Sequence, residues 1–275
     1  MGDARGIVKR GNAMSIVKAI FITGGASGIG RATARLFASR GWRVGVADVN
    51  QAGLDETVGQ IGGMAQRFML DVRDREAWVA ALDAFTQASA GRLDVLFNNA
   101  GIAQGGPLAD TPFEEIDRVV AINLMGVLNG ARIGHAYLKR APGSCLLNTA
   151  SASAIYGSAG LAPYSATKFG VRALTEALDG EWHGDGIRVR DLIPGFIDTP
   201  LLQGSVTGSN HNIREVVTGR GLELTSADTV AEAAWAAVHG DPVHTYVGAT
   251  ARRMAFASRW MPGRMRKMMR SGIGT

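Results

Sequence analysis

The sequence contains a single cysteine and no long apolar run. Cys145 alone cannot form an intramolecular disulfide or a thiolate metal cage, and its apolar neighbours (CLLN) favour a buried structural thiol. No stretch approaches the roughly 18 consecutive apolar residues of a membrane span, and the first residues (MGDARGIVKR) lack the apolar block of a secretory signal. These absences exclude a disulfide scaffold and an integral membrane protein, and we expect a cytoplasmic location.

Metal-ligand patterns and acidic residues near the C-terminal end are missing as well. The five histidines show no HExxH or other ligand spacing, so we expect no metal site. Residues 251–275 carry seven basic side chains and no acidic one, which leaves 22 basic and 24 acidic side chains in residues 1–250. The net charge of +5 is therefore concentrated at one end, and the composition does not indicate a nucleic-acid binder.

The sequence does contain a regular alternation of short apolar runs and longer amphipathic stretches. This pattern is typical of a parallel sheet with helices on both faces, the doubly wound α/β (Rossmann-type) fold. The predicted strands are 19–23, 43–48, 65–70, 95–98, 145–149, 188–193 and 245–247. The predicted helices lie near 28–40, 51–60, 74–90, 112–139, 164–180 and 226–239.

The chain is predicted to form one domain over residues 14–250, because no linker or internal repeat divides it. Residues 1–13 are expected to form an N-terminal arm without fixed structure. Residues 199–220 form a long excursion of the kind that serves as a lid or binding loop. Residues 251–275 form a basic amphipathic extension.

A glycine-rich turn, TGGASGIG, follows the first predicted strand and opens the first predicted helix. Gly24, Gly28 and Gly30 let the backbone approach a pyrophosphate, and the N–H groups and positive dipole end of the helix favour the anion. The spacing is GxxxGxG rather than GxGxxG, and an ordinary tight turn is the structural alternative. Strand before, helix after and an acidic residue at the next strand end predict a dinucleotide site.

That acidic residue is Asp48, at the end of the second predicted strand. Its carboxylate can accept hydrogen bonds from the ribose hydroxyls of the adenosine half and would repel a 2′-phosphate. Val49 and Asn50 supply no cation for such a phosphate, Ser27 is neutral, and Arg31 begins a helix. The sequence thus favours NAD over NADP, and the alternative is that Asp48 only caps the following helix.

Tyr164 and Lys168 stand four residues apart at the start of a predicted helix, so their side chains share one face. A free phenol is a poor acid or base at neutral pH, but a neighbouring ammonium stabilises the phenolate and is expected to lower the phenol's pKa. The alternative is a packed tyrosine beside a solvated lysine. Because the pair follows the fifth strand, at the sheet edge that carries the glycine turn, we favour a catalytic pair.

The order of these motifs is similar to that of the short-chain dehydrogenase/reductase family. TGGASGIG resembles the family's TGxxxGxG, NNAG (98–101) its NNAG, YSATK (164–168) its YxxxK, and IPGFIDT (193–199) its PG segment followed by a threonine. The resemblance covers residues 17–250. It implies an NAD(P)-dependent enzyme that transfers a hydride between nicotinamide and a secondary alcohol or its ketone.

The resemblance further implies a catalytic set of Asn123, Ser151, Tyr164 and Lys168. Tyr164 would be the acid/base, Ser151 would polarise the substrate oxygen, and Lys168 would tune Tyr164 and hold the nicotinamide ribose. Asn123 would hold a water that links Lys168 to solvent. Ser153 is a rival to Ser151, because only the thirteen-residue spacing of Ser151 to Tyr164 separates the two.

A cofactor site that extends from the glycine turn to the PG segment is implied as well. Asp71 and Val72 would flank the adenine, and Ile197 and Thr199 would meet the carboxamide. The expected cofactor-binding residues are Gly24, Ser27, Gly28, Ile29, Gly30, Asp48, Val49, Asp71, Val72, Asn99, Ala100, Gly101, Tyr164, Lys168, Pro194, Gly195, Ile197 and Thr199.

The chain departs from the family after the last predicted strand, where many relatives end soon in a segment such as VDGG. Met261, Met265 and Met268 form one stripe of the last helical pattern. A second stripe is basic and consists of Arg264, Lys267 and Arg270. We expect this helix to pack over the substrate mouth or in a homodimer or homotetramer interface, and peripheral contact with anionic lipid is the alternative.

The expected substrate is a small-molecule alcohol or ketone, and a lipophilic one because of Pro200, Leu201, Leu202 and the methionine-rich end. Two other functions stay open. A non-catalytic NAD(H)-binding sensor or scaffold protein has the same fold, but the complete catalytic set disfavours it. A dehydratase or epimerase is disfavoured by the absence of a substantial added substrate domain.

Overall fold

The computed structural model describes residues 17–203, 213–219 and 223–270. The predicted arm over residues 1–13 lies outside these ranges, as do parts of the predicted excursion and the last five residues. Within the described ranges, the strands are β1 (Ala19–Thr23), β2 (Arg43–Asp48), β3 (Ala65–Met69), β4 (Val95–Asn98), β5 (Cys145–Thr149), β6 (Arg188–Pro194), β7 (Phe196–Ile197), β8 (Leu224–Thr225) and β9 (His244–Val247).

Seven of these strands form one parallel sheet in the order β3-β2-β1-β4-β5-β6-β9, which confirms the predicted doubly wound fold. From β1 the chain builds β2 and β3 on one side and then returns to add β4 on the other. The loops after β1 and β4 therefore diverge, and this divergence leaves a crevice at the carboxyl edge. The short strands β7 and β8 pair separately beside this edge.

Helices cover both faces of the sheet. They are α1 (Gly28–Ser39), α2 (Gln51–Ile61), α3 (Arg75–Ala88), α4 (Phe113–Val120), α5 (Gly126–Leu138), α6 (Ala162–Trp182), α7 (Ile213–Gly219), α8 (Ala227–His239), α9 (Gly248–Trp260) and α10 (Pro262–Arg270). The single helix predicted near 112–139 is two helices, α4 and α5, joined by a π-helical turn over Ala121–Met125. A π turn widens the helix locally, and such turns are frequent at functional sites.

The central strand β1 is buried on both faces, and its side chains alternate between two apolar layers. Phe21 packs with Trp78 and Phe85 in one layer, while Ile20 and Ile22 belong to the other. Complete burial of such side chains stabilises the fold by about 1.5–3 kcal/mol each. This two-sided core holds the carboxyl ends of β1, β4 and β5 in fixed positions.

A third apolar cluster attaches the C-terminal helices to the loop that follows β5. Met254 of α9 and Met265 of α10 pack with Ala154 and Ile155 of that loop. The helix α9 begins directly after β9, and we refer to α9 and α10 together as the roof. No helix among the described residues has the length and apolarity needed to cross a membrane.

Candidate active site

A cavity of about 1230 Å³ lies at the carboxyl edge of the sheet, under the roof. It is larger than the roughly 300–1,000 Å³ of an ordinary small-molecule site, so it has room for two ligands. The glycine turn lines one end, and the segment from Ser151 to Lys168 lines the other together with the roof. The crevice expected from the strand order is therefore the place where the predicted motifs meet.

The glycine turn fits a pyrophosphate. Gly24 has a positive φ of 67°, and a Cβ there would lie 2.9 Å from the Cα of Ala100, so any side chain would collide with the neighbouring loop. Ser27 is the N-cap of α1, but its side chain makes no capping hydrogen bond, which leaves the first N–H groups of the helix available to an anion. Gly24, Ser27, Gly28 and Ile29 all line the cavity.

Gly30 does not line the cavity, although it was predicted to bind the cofactor. A Cβ at this position would collide with the carbonyl oxygen of Gly24 and lie 2.9 Å from Nδ2 of Asn99. Its role is therefore to let α1 pack closely beneath the turn.

Asp48 lines the cavity, and both of its oxygens hold neighbouring backbone. Oδ2 accepts from the N–H of Ala26 at 3.1 Å and Oδ1 accepts from the N–H of Asn50 at 3.0 Å. The helix cap is Asn50, whose side chain accepts from the N–H of Gly53. The alternative that Asp48 only caps the helix is therefore wrong, and the carboxylate stands at the cavity wall beside Val49.

No basic side chain of the described residues lines the cavity beside Asp48. Arg31, the arginine that follows the glycine turn, is held by Glu56, by Thr57 and by the carbonyl oxygen of Ala26. It does not line the cavity. This end of the cavity thus presents a carboxylate without a compensating cation.

The NNAG segment joins three strand ends. Nδ2 of Asn99 donates to the carbonyl oxygen of Thr23 at 3.0 Å, and Oδ1 of Asn99 accepts from the hydroxyl of Thr149 at 3.2 Å. The hydroxyl of Thr23 accepts from the backbone N–H groups of Asn99 and Ala100, each at 3.0 Å. Asn99, Ala100 and Gly101 line the cavity as predicted, and the asparagine side chain also fixes β1 to β5.

Asp71 is not brought to the cavity, whereas Val72 is. The Asp71 carboxylate accepts hydrogen bonds from the Arg73 guanidinium, which hold the pKa of Asp71 below its usual value. The expectation that the Asp71 side chain flanks an adenine is therefore not supported, because its oxygens are turned to Arg73.

Tyr164 and Ser151 meet in the cavity wall. Burial raises the pKa of the Tyr164 phenol, and hydrogen bonding by the Ser151 hydroxyl opposes that rise. The expectation that the phenol's pKa is lowered was wrong in direction, since burial disfavours the phenolate more strongly than its neighbours favour it. At neutral pH the phenol therefore carries its proton.

Lys168 lies one helical turn after Tyr164 and is 4% exposed. Its Nζ donates to the carbonyl oxygen of Thr149 at 2.8 Å and lies 5.7 Å from the centroid of the Tyr164 ring. Burial lowers the pKa of Lys168 to about 8. The amine is therefore poised to gain or lose a proton near neutral pH.

Asn123 stands behind the cavity wall rather than in it. It is completely buried in the π-helical turn, where Oδ1 accepts from the N–H of Ile102 and Nδ2 donates to the carbonyl oxygen of the same residue. A Cβ on Gly101 would lie 3.2 Å from Oδ1 of Asn123 and 3.7 Å from Nζ of Lys168. Asn123 thus fixes the loop between its own helix and the cavity, close to Lys168.

The two candidate serines both line the cavity, and their contacts distinguish them. The Ser151 hydroxyl interacts with Tyr164 and also accepts from the N–H of Ser153 at 3.2 Å. Ser153 shows no such interaction with the Tyr164 phenol. The geometry favours Ser151, as the spacing predicted.

The PG segment and the excursion after it border the cavity from above. Pro194, Gly195, Ile197 and Thr199 line it, followed by three apolar residues. These are Pro200, Leu201 and Leu202. Thr199 stands against Gly28, since a Cβ on that glycine would lie 3.0 Å from Cγ2 of Thr199.

Sequence reasoning missed two polar residues of the site. Thr149 provides the carbonyl that holds Lys168, and only its position at the end of β5 could have indicated this. Gln104 lines the cavity, and its Oε1 has no hydrogen-bond partner among the described residues. No motif includes Gln104.

Comparison with known proteins identifies the family. The family model described as short chain dehydrogenase matches residues 18–210. The chain is 39% identical over 189 residues to the uncharacterized oxidoreductase YxbG of Bacillus subtilis, covering 67% of this chain and 68% of that protein. It is 36% identical over 189 residues to cyclopentanol dehydrogenase of Comamonas testosteroni, covering 68% of this chain and 75% of that protein.

The chain is also 33% identical over 263 residues to the probable oxidoreductase EphD of Mycobacterium tuberculosis. That match covers 91% of this chain but only 44% of the longer relative. Among solved structures, the 3-ketoacyl-(acyl-carrier-protein) reductase of Brucella melitensis, complexed with NADH, matches with a TM-score of 0.74 and 32% identity. The match covers 85% of this chain and 98% of that one.

The motifs meet in one crevice, the sheet has the matching topology, and the family model covers well over half of the residues. The chain therefore belongs to the short-chain dehydrogenase/reductase family.

Proposed function

We propose that this protein is an NAD-dependent oxidoreductase that interconverts a lipophilic secondary alcohol and its ketone. The observation that carries the proposal is the meeting of Tyr164, Ser151 and Lys168 in the wall of a cavity whose other end is the glycine turn. When bound, nicotinamide supplies or accepts the hydride. The glycine turn, Asp48, Val72 and Gly101 are the residues that would hold the dinucleotide.

Tyr164 is the proton donor to the substrate oxygen in the ketone-reducing direction. Its raised pKa keeps the phenol protonated at neutral pH, which is the state that reduction requires. The Ser151 hydroxyl, next to the phenol, donates a hydrogen bond to the same oxygen and so orients it. In alcohol oxidation the phenolate takes the hydroxyl proton.

Lys168 stabilises the phenolate that remains after proton donation. Its Nζ is fixed by the Thr149 carbonyl and lies near the phenol ring, inside a buried site where electrostatic interactions are strong. With a pKa of about 8, the amine can also take up and release protons near neutral pH.

The preference for NAD rests on Asp48. A carboxylate without a neighbouring cation repels a 2′-phosphate, and Arg31 is already held by Glu56. The lipophilic substrate is supported by the apolar lining of the excursion and the roof. The names of cyclopentanol dehydrogenase and 3-ketoacyl reductase point to alcohol and ketone chemistry in relatives.

A panel of secondary alcohols and ketones, of rising chain length and ring size, tests this function with NAD or NADH by absorbance of the reduced cofactor. Tyr164→Phe is expected to lower turnover at least about 100-fold, the range of general acid catalysis, while NADH binding measured by fluorescence is largely kept. Tyr156→Phe is the control, because that phenol does not line the cavity.

Full activity of Tyr164→Phe would contradict the assigned role. NADH binding without turnover of any alcohol or ketone would favour the sensor or scaffold alternative. We also retain the predictions of a cytoplasmic homodimer or homotetramer and of peripheral lipid contact as the alternative role of the C-terminal end.

A further inference from the structure

Three arginines line the roof side of the cavity. Arg252 and Arg253 belong to α9, Arg264 belongs to α10, and all three are exposed. Residues 248–270 contain no acidic side chain. Among the described residues, no carboxylate forms an ion pair with these three guanidinium groups.

Helix geometry turns two of these arginines toward the cavity. Thr250, Arg253 and Ala257 follow the i, i+3, i+7 spacing along one face of α9, and all three line the cavity. Met261, the residue before α10, repeats that spacing with Arg264 and Met268 of α10, and all three line the cavity. Each roof helix therefore places one arginine in the middle of its cavity-facing row.

The arginines lie on the substrate side of the cavity rather than on the dinucleotide side. The roof is anchored by Met254 and Met265 to Ala154 and Ile155, in the loop that connects Ser151 with Tyr164. Asp48, at the opposite end, is the one carboxylate among the described residues that line the cavity. The cavity is thus charged positively at the roof and negatively at the adenosine end.

We propose that the roof binds an anionic end group of the substrate, so that the enzyme acts on alcohols or ketones with an apolar body and a carboxylate or phosphate. The apolar body lies along the methionines, and the anion is bound by Arg253 and Arg264, the two arginines in the cavity-facing rows. Guanidinium groups bind carboxylates and phosphates through paired, charge-assisted hydrogen bonds. This inference rests on the proposed function and adds the class of substrate.

The same cations could instead face an anionic lipid surface, and the positions of the charges separate the two cases. Arg266 and Lys267 are exposed on α10 but do not line the cavity. A lipid surface attracts every cation near it, whereas a bound end group is contacted only by the cations of the cavity. Removal of Arg253 and Arg264, or of Arg266 and Lys267, lowers the net charge of the protein by the same amount.

Two double variants of the full chain form the test: Arg253→Gln/Arg264→Gln and its matched control Arg266→Gln/Lys267→Gln. Direct binding is measured by calorimetry with decanoate, decyl phosphate, methyl decanoate and decyltrimethylammonium, each below its micelle concentration. This measurement does not depend on turnover. Kinetics then compare a keto acid that ends in a carboxylate with its methyl ester.

In the parent, we expect the two anions to bind at least about tenfold more tightly than the ester, which is equivalent to ~1.4 kcal/mol. Arg253→Gln/Arg264→Gln should remove that difference in affinity and raise KM for the keto acid but not for its ester. The control variant should keep the affinity difference and the KM of the parent. The two probe anions distinguish a carboxylate from a phosphate substrate. Intact anion binding without turnover of any ketone would contradict the proposed function but not the anion site.

Equal affinities for decanoate and its methyl ester in the parent would overturn the proposal. Equal loss of anion binding in the two double variants would also overturn it. Sedimentation with anionic phospholipid vesicles that depends equally on both charge pairs, without selective binding of the soluble anions, would assign the cations to a membrane surface instead.

Discussion

Burial opposes the charged forms of both Tyr164 and Lys168. It raises the pKa of the phenol and lowers the pKa of the amine to about 8, so at pH 7 the protein keeps an ammonium at a site where burial disfavours it. The site is thus held in a state that costs stability, as functional sites often are. That cost can be measured separately from activity.

Replacement of Lys168 by Met is expected to stabilise the protein at pH 7. The pKa of Lys168 falls from 10.5 unfolded to about 8 folded, so the unfolded chain binds more protons and stability rises with pH between these values. Below pH 8 the burial of the ammonium costs on the order of 3 kcal/mol. In urea unfolding, Lys168→Met should have a higher free energy of unfolding than the parent at pH 7. The difference between the two free energies should shrink toward pH 10.5.

Lys267→Met, at an exposed position, is the control and should show no such pH dependence. A Lys168→Met variant that is less stable than the parent at pH 7, or a gap that is constant with pH, would contradict the burial cost.

Cofactor choice should depend on Asp48. Because this carboxylate has no cation beside it, NADH is expected to bind at least about tenfold more tightly than NADPH, or ~1.4 kcal/mol. Asp48→Ala should reduce the difference between the affinities for NADH and NADPH. Asp71→Ala removes the same charge from a residue that does not line the cavity and should leave the ratio unchanged. Calorimetric affinities that are equal in the parent would refute the preference.

Strands and helices far apart in the sequence are joined at the sheet edge by one histidine. His244, which begins β9, contacts the buried Asp191 of β6 through Nδ1 and Glu176 of α6 through Nε2, each at 3.0 Å. The hydrogen bond with Asp191 raises the pKa of His244, while burial raises the pKa of Asp191. This junction attaches the edge strand to the helix that carries Tyr164 and Lys168.

His244→Gln should destabilise the fold more at pH 6 than at pH 9. The raised pKa means that the stabilisation by protonated His244 is complete below about 6.5 and is lost as pH rises through the folded value. Loss of the partner of a buried carboxylate costs about 3–5 kcal/mol. Denaturant titrations at both pH values measure this, with the exposed His183→Gln as control. A loss of stability in His244→Gln that is larger at pH 9 than at pH 6 would contradict this prediction.

The roof depends on Met265. This side chain is completely buried, whereas Met268 of the same helix is 52% exposed. Met265→Ala should cost about 2–5 kcal/mol in the free energy of unfolding, as for other buried methionines. It should also raise KM for bulky apolar substrates, with little change in NADH affinity. Met268→Ala is the matched variant, and an equal loss of stability in both would contradict the packing of α10.

At the level of the assembled protein, α4 and α6 pack together and present large apolar side chains to solvent. Phe113 is 80% exposed and Phe169 is 42% exposed. We propose that this exposed apolar surface is a contact with another copy of the chain. If the protein is the predicted homodimer or homotetramer, Phe113→Glu/Phe169→Glu is expected to lower its mass in analytical ultracentrifugation. Val79→Glu, also 42% exposed but on α3, should not change it.

The sequence predicted all seven strands of the main sheet, because parallel strands buried on both faces leave continuous apolar runs. It did not predict the π-helical turn, nor the hydrogen bonds from Asn123 in that turn to Ile102, because periodicity encodes neither. The strands β7 and β8, at two residues each, are too short to leave a pattern.

The site was predictable where its chemistry is local. Tyr164 and Lys168 share a helix face through their spacing, whereas Arg31 is held by Glu56, a contact between residues distant in the chain. The Asp71 carboxylate does not line the cavity and is bonded to Arg73, a contact that no motif describes. Side-chain partners, near or far along the chain, decide which predicted residues reach the cavity.

The position of the roof after every strand of the sheet has a consequence for folding during synthesis. The ribosome releases the chain from its N-terminal end, so β1 to β6 emerge before β9, α9 and α10. The apolar wall around Ala154 and Ile155 therefore stays uncovered until the last helices emerge. A nascent chain that stalls after β9 exposes an apolar surface at the future active site. Such a surface favours aggregation, and chaperones bind it.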